Sequence, residues 1–142
     1  MKRISVDTQE GKEVRYRNLI RPSLMDDLKV KINRRIVEEK KFLDKDYSAL
    51  QLAKDLGTNT RYISAVVNNV FKMNYTSFIN KYRIEEAMAI LSNPQQQKLS
   101  MKKVSEMVGF TNRQSFYTSF LRMVKMTPVK YRKLQMASAD KT

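Results

Sequence analysis

Apolar residues recur at three- and four-residue intervals in stretch after stretch of this chain, the spacing that gathers side chains on one face of an α-helix. Leu24, Leu28, Ile32 and Ile36 predict a helix that follows Pro22, opens with a capping box at Ser23 to Asp26, and runs to about Lys41. Ile63, Val66, Val67 and Val70 form a second stripe, and Phe116, Phe120 and Val124 a third. Between them, a helix over about residues 75–92 carries Phe78, Ile79, Tyr82, Ala87, Ile90 and Leu91 on its apolar side. Long alternating apolar runs are missing, and Gly and Pro number only three each. The pattern predicts an all-α fold.

Two of these stripes stand in matching surroundings. Met101 to Val108 places Val104, Met107 and Val108 on one face and stops at Gly109; Thr111 or Asn112 then caps a helix whose polar side holds Arg113, Gln114, Tyr117, Thr118 and Arg122. Earlier, Leu52 to Leu56 stops at Gly57, and Thr58-Asn59 precedes Arg61 and the stripe from Ile63. Lys72-Met73 matches Lys125-Met126, and Phe110 is one extra residue in the later turn. Each copy reads as a helix-turn-helix. Two copies are too few for a solenoid, so the simpler architecture is two lobes joined by a linker helix. Its eighteen or so residues span roughly 27 Å, near the ~34 Å of one DNA turn once the lateral offset of the motifs is added.

The expected organisation is a flexible arm over residues 1–21, an N-terminal helix over 22–43, and a domain carrying both motifs over 44–136. Within that domain motif one covers about 48–72, opened by a capping box at Ser48, the linker helix about 75–92, and motif two about 100–125. A final helix, with Thr127 as cap and Pro128 in its first position, runs over about 128–136, and 137–142 is a frayed tail.

Charge changes the picture from fold to partner. The chain has 28 basic and 14 acidic residues, a net charge of +14, and no acid between Asp55 and Glu85 or between Glu106 and Asp140. Both acid-free intervals contain a proposed recognition helix, which suits a polyanion. Cysteine and histidine are absent, which removes disulfides, thiolate chemistry, zinc fingers and a Ser-His-Asp triad. The few acids of the motif region form no pair, so no enzyme, cofactor or metal is expected. No apolar run approaches the ~20 residues of a membrane span, and the first residues lack a signal peptide's apolar segment; a cytoplasmic protein is the expectation.

The residues together resemble the DNA-binding domain of AraC/XylS-type transcription regulators. The resemblance covers about Tyr47 to Leu134. It rests on Leu52-Ala53 with Leu56-Gly57, Tyr82 to Ala87, Val108-Gly109-Phe110, Phe116 with Phe120, and Thr127-Pro128 with Tyr131-Arg132. It implies two helix-turn-helix motifs, a long linking helix, and promoter binding in activation or occasionally repression, with RNA polymerase as a second candidate partner. Lys72 and Lys125 depart from the glycine usual after each recognition helix, and Ser105 from a small apolar residue. No recognisable effector-binding or receiver segment accompanies the motifs, which leaves the signal unidentified.

Base edges are read near the start of a recognition helix, and phosphates are held by cations and backbone amides. The candidate base readers are Arg61, Ser64, Ala65 and Asn68 in motif one and Arg113, Gln114, Ser115, Tyr117 and Thr118 in motif two. Arginine makes bidentate bonds to guanine and glutamine to adenine, so motif two has the stronger set. Candidate backbone contacts are Thr58, Asn59, Thr111, Asn112, Arg122, Lys130 and Arg132, with double-stranded DNA as the partner. Arg83 is expected to tie the linker helix in place. The competing class is a basic helical module that docks RNA or protein; aromatics on core stripes argue against stacking on a single strand.

Overall fold

The computed structural model describes residues 21–140. The expected arm therefore lies, apart from Arg21, outside the described residues, as do Lys141 and Thr142. Seven α-helices and no strand occur among the described residues, as the apolar spacing predicts. They are α1 (Pro22–Asn33), α2 (Ala49–Asp55), α3 (Thr60–Phe71), α4 (Tyr75–Leu91), α5 (Met101–Met107), α6 (Arg113–Val124) and α7 (Pro128–Asp140). No helix among the described residues is long and apolar enough to cross a membrane.

The chain divides into two compact units. The first takes residues up to Lys40 and then Tyr47–Phe78. Here α1 packs on α3, and α2 on α3, burying Leu28, Ile32, Ile36, Leu52, Ile63, Val66, Val67 and Phe78. The Tyr47 hydroxyl donates to Asp55 at 2.5 Å, and the Gln51 amide donates to the other carboxylate oxygen at 2.9 Å. Burial, and then the bond to Asp55, hold the Tyr47 phenol protonated well above its usual range.

The second unit takes Lys41–Asp46 and everything from Ile79 on. Its core gathers Ile84, Ala87, Leu91, Val104, Val108, Phe110, Phe116 and Phe120, with Tyr131 of α7 edge-on to Phe120 at 5.6 Å. Arg83 ties the linker helix in place, as its position in the sequence suggests. Its Nε donates to the Phe42 carbonyl at 2.6 Å and its Nη2 to that of Asp44 at 3.2 Å. The same guanidinium lies 5.7 Å from the centre of the Phe110 ring.

Three expectations about helix limits are corrected. Ser23 caps nothing, because Pro22 already occupies the first helical position, with Arg21 before it making no side-chain cap. The first helix does not run straight to Lys41: a π-turn spans Arg34–Glu38, closed by Glu39 N–H donating to the Arg34 carbonyl at 2.8 Å. Side chains four apart drift by about 40° per step on a straight α-helix, and a widened turn takes up that drift. Ile32 and Ile36 both reach 0% exposure as a result. At the other end, α7 continues through Ala137–Ala139 to Asp140, since no glycine or proline stops it there.

The two turn glycines are left-handed, at φ +70° for Gly57 and +99° for Gly109, but their surroundings differ. A Cβ on Gly57 would meet nothing within 4 Å; one on Gly109 would lie 2.8 Å from the backbone carbonyl oxygens of both Phe42 and Leu43. Gly57→Ala should therefore cost only the left-handed penalty, about 1 kcal/mol. Gly109→Ala should cost about 2 to 4 kcal/mol, because backbone oxygens cannot step aside. Urea unfolding of both variants checks this, and equal losses would contradict the close approach.

Candidate nucleic-acid interface

Each motif is set by side-chain caps. Ser48 and Ser100 accept from the backbone N–H groups of Gln51 and Lys103, opening α2 and α5. Asn59 and Asn112 accept from Tyr62 and Ser115 at 2.9 and 2.8 Å, opening α3 and α6. Both recognition helices have twelve residues and close on a left-handed lysine, Lys72 at φ 60° and Lys125 at φ 68°. The parallel extends one helix further than the sequence suggested: Asn74 caps α4 and Thr127 caps α7. Three helices, not two, repeat.

Matching caps fix the register between the motifs. Thr60 and Arg113 take the first helical position, Arg61 and Gln114 the second. The two arginines are thus one position out of step. Thr60, which sequence reading passed over, is exposed at the place Arg113 holds in the other motif; the Asn-to-Asn alignment was the signal for it.

The outward residues separate into three groups. Arg61, Arg113, Gln114, Ser115 and Thr118 are exposed, as are the backbone-contact candidates Asn59, Thr111, Asn112, Arg122 and Lys130. Ser64, Asn68, Tyr117 and Thr58 are half-buried, and Tyr117 stands edge-on to Phe116 at 6.0 Å against the core of the second unit. Ala65 and Arg132 are corrections. Ala65 is wholly buried and presents nothing to a base; α3 has α1 packed on it as well as α2, so a wider arc of it is covered. Arg132 donates to the Leu99 carbonyl at 2.6 Å and is spent on packing α7. Ser105 is buried like its counterpart Ala53, and its hydroxyl is satisfied by donating to the Lys102 carbonyl at 2.9 Å. Around the second turn, Lys102, Ser105, Glu106, Thr111, Asn112 and Arg113 line an open cleft of about 400 Å³.

A sequence model described as a helix-turn-helix domain matches residues 52–134. The chain belongs to the AraC-type helix-turn-helix family. The family is one of DNA-binding transcription regulators. No curated protein matches this AraC-type chain. Solved structures give the same fold. The C-terminal domain of the two-component response regulator YesN from Fusobacterium nucleatum superposes with a TM-score of 0.60 at 22% identity, over 78% of this chain and 95% of that one. The C-terminal domain of AraT, a response regulator from Geobacillus stearothermophilus, gives 0.64 at 23% over 74% and 84%. A DNA-binding transcriptional dual regulator from Escherichia coli K-12 gives 0.64 at 15% over 77% and 92%.

The caps of this AraC-type pair generate a prediction. Asn59→Ala and Asn112→Ala should each lower stability by about 1 kcal/mol, since each strands an N–H at the head of a recognition helix. Replacement by Asp or Ser should restore most of it. Chemical denaturation reads the result; an unchanged midpoint for both alanine variants would show that the caps do not hold these helices.

Proposed function

We propose that the chain is a sequence-specific regulator that lays α3 and α6 in successive major grooves of promoter DNA and activates transcription there. The observation that carries this reading is the repeat itself: two twelve-residue helices in one cap register, each opening on exposed polar and basic residues inside an acid-free interval. The seventeen residues of α4 amount to about 26 Å at the helical rise, of the order needed to separate grooves ~34 Å apart.

Within that reading the roles differ between motifs. Arg113 and Gln114 supply a guanine reader and an adenine reader side by side, with Ser115 and Thr118 beside them, whereas Arg61 works with Thr60, Ser64 and Asn68. Motif two therefore sets most of the sequence choice, and motif one adds affinity with looser discrimination. Asn59, Thr111, Asn112, Arg122 and Lys130 hold phosphates. Phe116 and Phe120 are wholly buried, so no aromatic platform is offered to a single strand from that stripe. Contact with RNA polymerase at the promoter completes the proposal.

Selection of bound duplexes from a random pool should yield two conserved blocks about one helical turn apart, with footprinting that protects both. Protection of a single block at saturating protein would sink the two-groove reading. Arg113→Ala should weaken binding to the selected site by about 1 to 3 kcal/mol and leave random duplex less affected. Equal loss on every sequence would move Arg113 to the phosphates. Transcription from a template bearing the selected site, with and without the protein, decides between activation and repression.

A further inference from the structure

Three residues other than glycine have a positive φ among the described residues, and all are lysines: Lys40, Lys72 and Lys125. The left-handed conformation disfavours any residue with a Cβ, and glycine is the residue that avoids the penalty at a helix end. This chain does use glycine in that conformation, at Gly57 and Gly109. At the ends of both recognition helices it uses lysine instead, at the same register from the capping asparagine. Both lysines are exposed, and neither ammonium has a hydrogen bond or ion pair among the described residues. No acid occurs near either in sequence, since both fall in the acid-free intervals.

We propose that Lys72 and Lys125 are a matched pair of DNA-backbone contacts, each binding phosphate at the opposite end of its recognition helix from the Asn cap; this rests on the duplex-binding reading above. A twelve-residue helix is about 18 Å long. The major groove is only about 12 Å wide. A helix with its capped first turn at one rim of the groove therefore brings its closing residue to the phosphates of the other rim. Left-handed backbone turns the chain sharply at that residue, and the lysine's long stem carries the charge clear of the helix end. A favourable interaction with the negative end of the helix dipole acts at both positions too, but it acts equally in the free protein, so it does not change the salt dependence of duplex affinity.

The test is duplex affinity against salt concentration, by fluorescence anisotropy, for the wild-type chain and for Lys72→Gly, Lys125→Gly and the double variant, on the selected site and on random duplex. Each single variant should flatten the slope of log affinity against log salt by about 0.9, and lower affinity at 0.1 M salt by about eightfold on both duplexes. The double variant should show twice the change in slope. Lys125→Arg should restore the wild-type slope, and the glycine variants should melt no lower than wild type, because glycine suits the backbone. Lys40→Gly, at the end of the helical segment before motif one, is the control and should leave the slope unchanged. A steep wild-type slope that persists in Lys72→Gly and Lys125→Gly would overturn this proposal while leaving duplex binding intact, as would an equal flattening by Lys40→Gly. A wild-type chain with no salt-dependent affinity for duplex would remove the duplex-binding reading and the lysine proposal together.

Discussion

The backbone between the first and second helices passes so close to the turn of motif two that only a residue without a side chain fits. The carbonyl oxygens of Phe42 and Leu43 stand 2.8 Å from where a Cβ on Gly109 would be. Arg83 then fastens the same strap by its bonds to the Phe42 and Asp44 carbonyls and rests against Phe110. The part-buried Phe42 carbonyl needs a donor, and the guanidinium fork supplies it together with a second, exposed bond to Asp44 in fixed geometry. The turn that opens α6 is therefore positioned by contacts from far along the chain, and the exposed Arg113-Gln114 face depends on them.

Much of this was legible in the residues because the signals were local. Ser48, Ser100 and Thr127 announced helix starts through their own side chains, the pairs Thr58-Asn59 and Thr111-Asn112 did so with the asparagine proving to be the cap, and the apolar stripes named most of what is buried. The left-handed ends of α3 and α6 fall at Lys72 and Lys125, where the resembled family usually has glycine. What escaped was set by partners distant in sequence. Ala65 looks outward on a helical wheel and is covered, on a helix against which α1 packs in addition to the helix-turn-helix partner. Arg132 reads as one more surface cation until the Leu99 carbonyl is found beside it. The π-turn after α1 left only a slight drift in the Leu28, Ile32, Ile36 spacing as a trace.

The same two-helix plan is elaborated differently in its two appearances. In the first, an added helix covers part of the recognition helix, and beside Arg61 only small side chains remain in the first two turns of its outer face. In the second, aromatic rings fill the core from Phe110 through Phe116 and Phe120 to Tyr131, and the outer face keeps larger polar groups. A ring-filled core holds its helix through shape as well as area, since edge-to-face contacts restrict rotation. The motif with the stronger potential readers is thus also the one whose recognition helix rests on the more directional packing.

The strap has one more consequence, in the timing of synthesis. Residues 41–46 belong to the second unit although the chain on both sides of them builds the first. Phe42 leaves the ribosome about seventy residues before Gly109, which at ~5 to 20 residues per second is a wait of several seconds. For about the first forty residues of that interval even Tyr82 and Arg83, which meet the Phe42 ring and carbonyl, are still unmade. The order of translation therefore lets the strap settle against the turn before α6 only after the whole first unit has been synthesised.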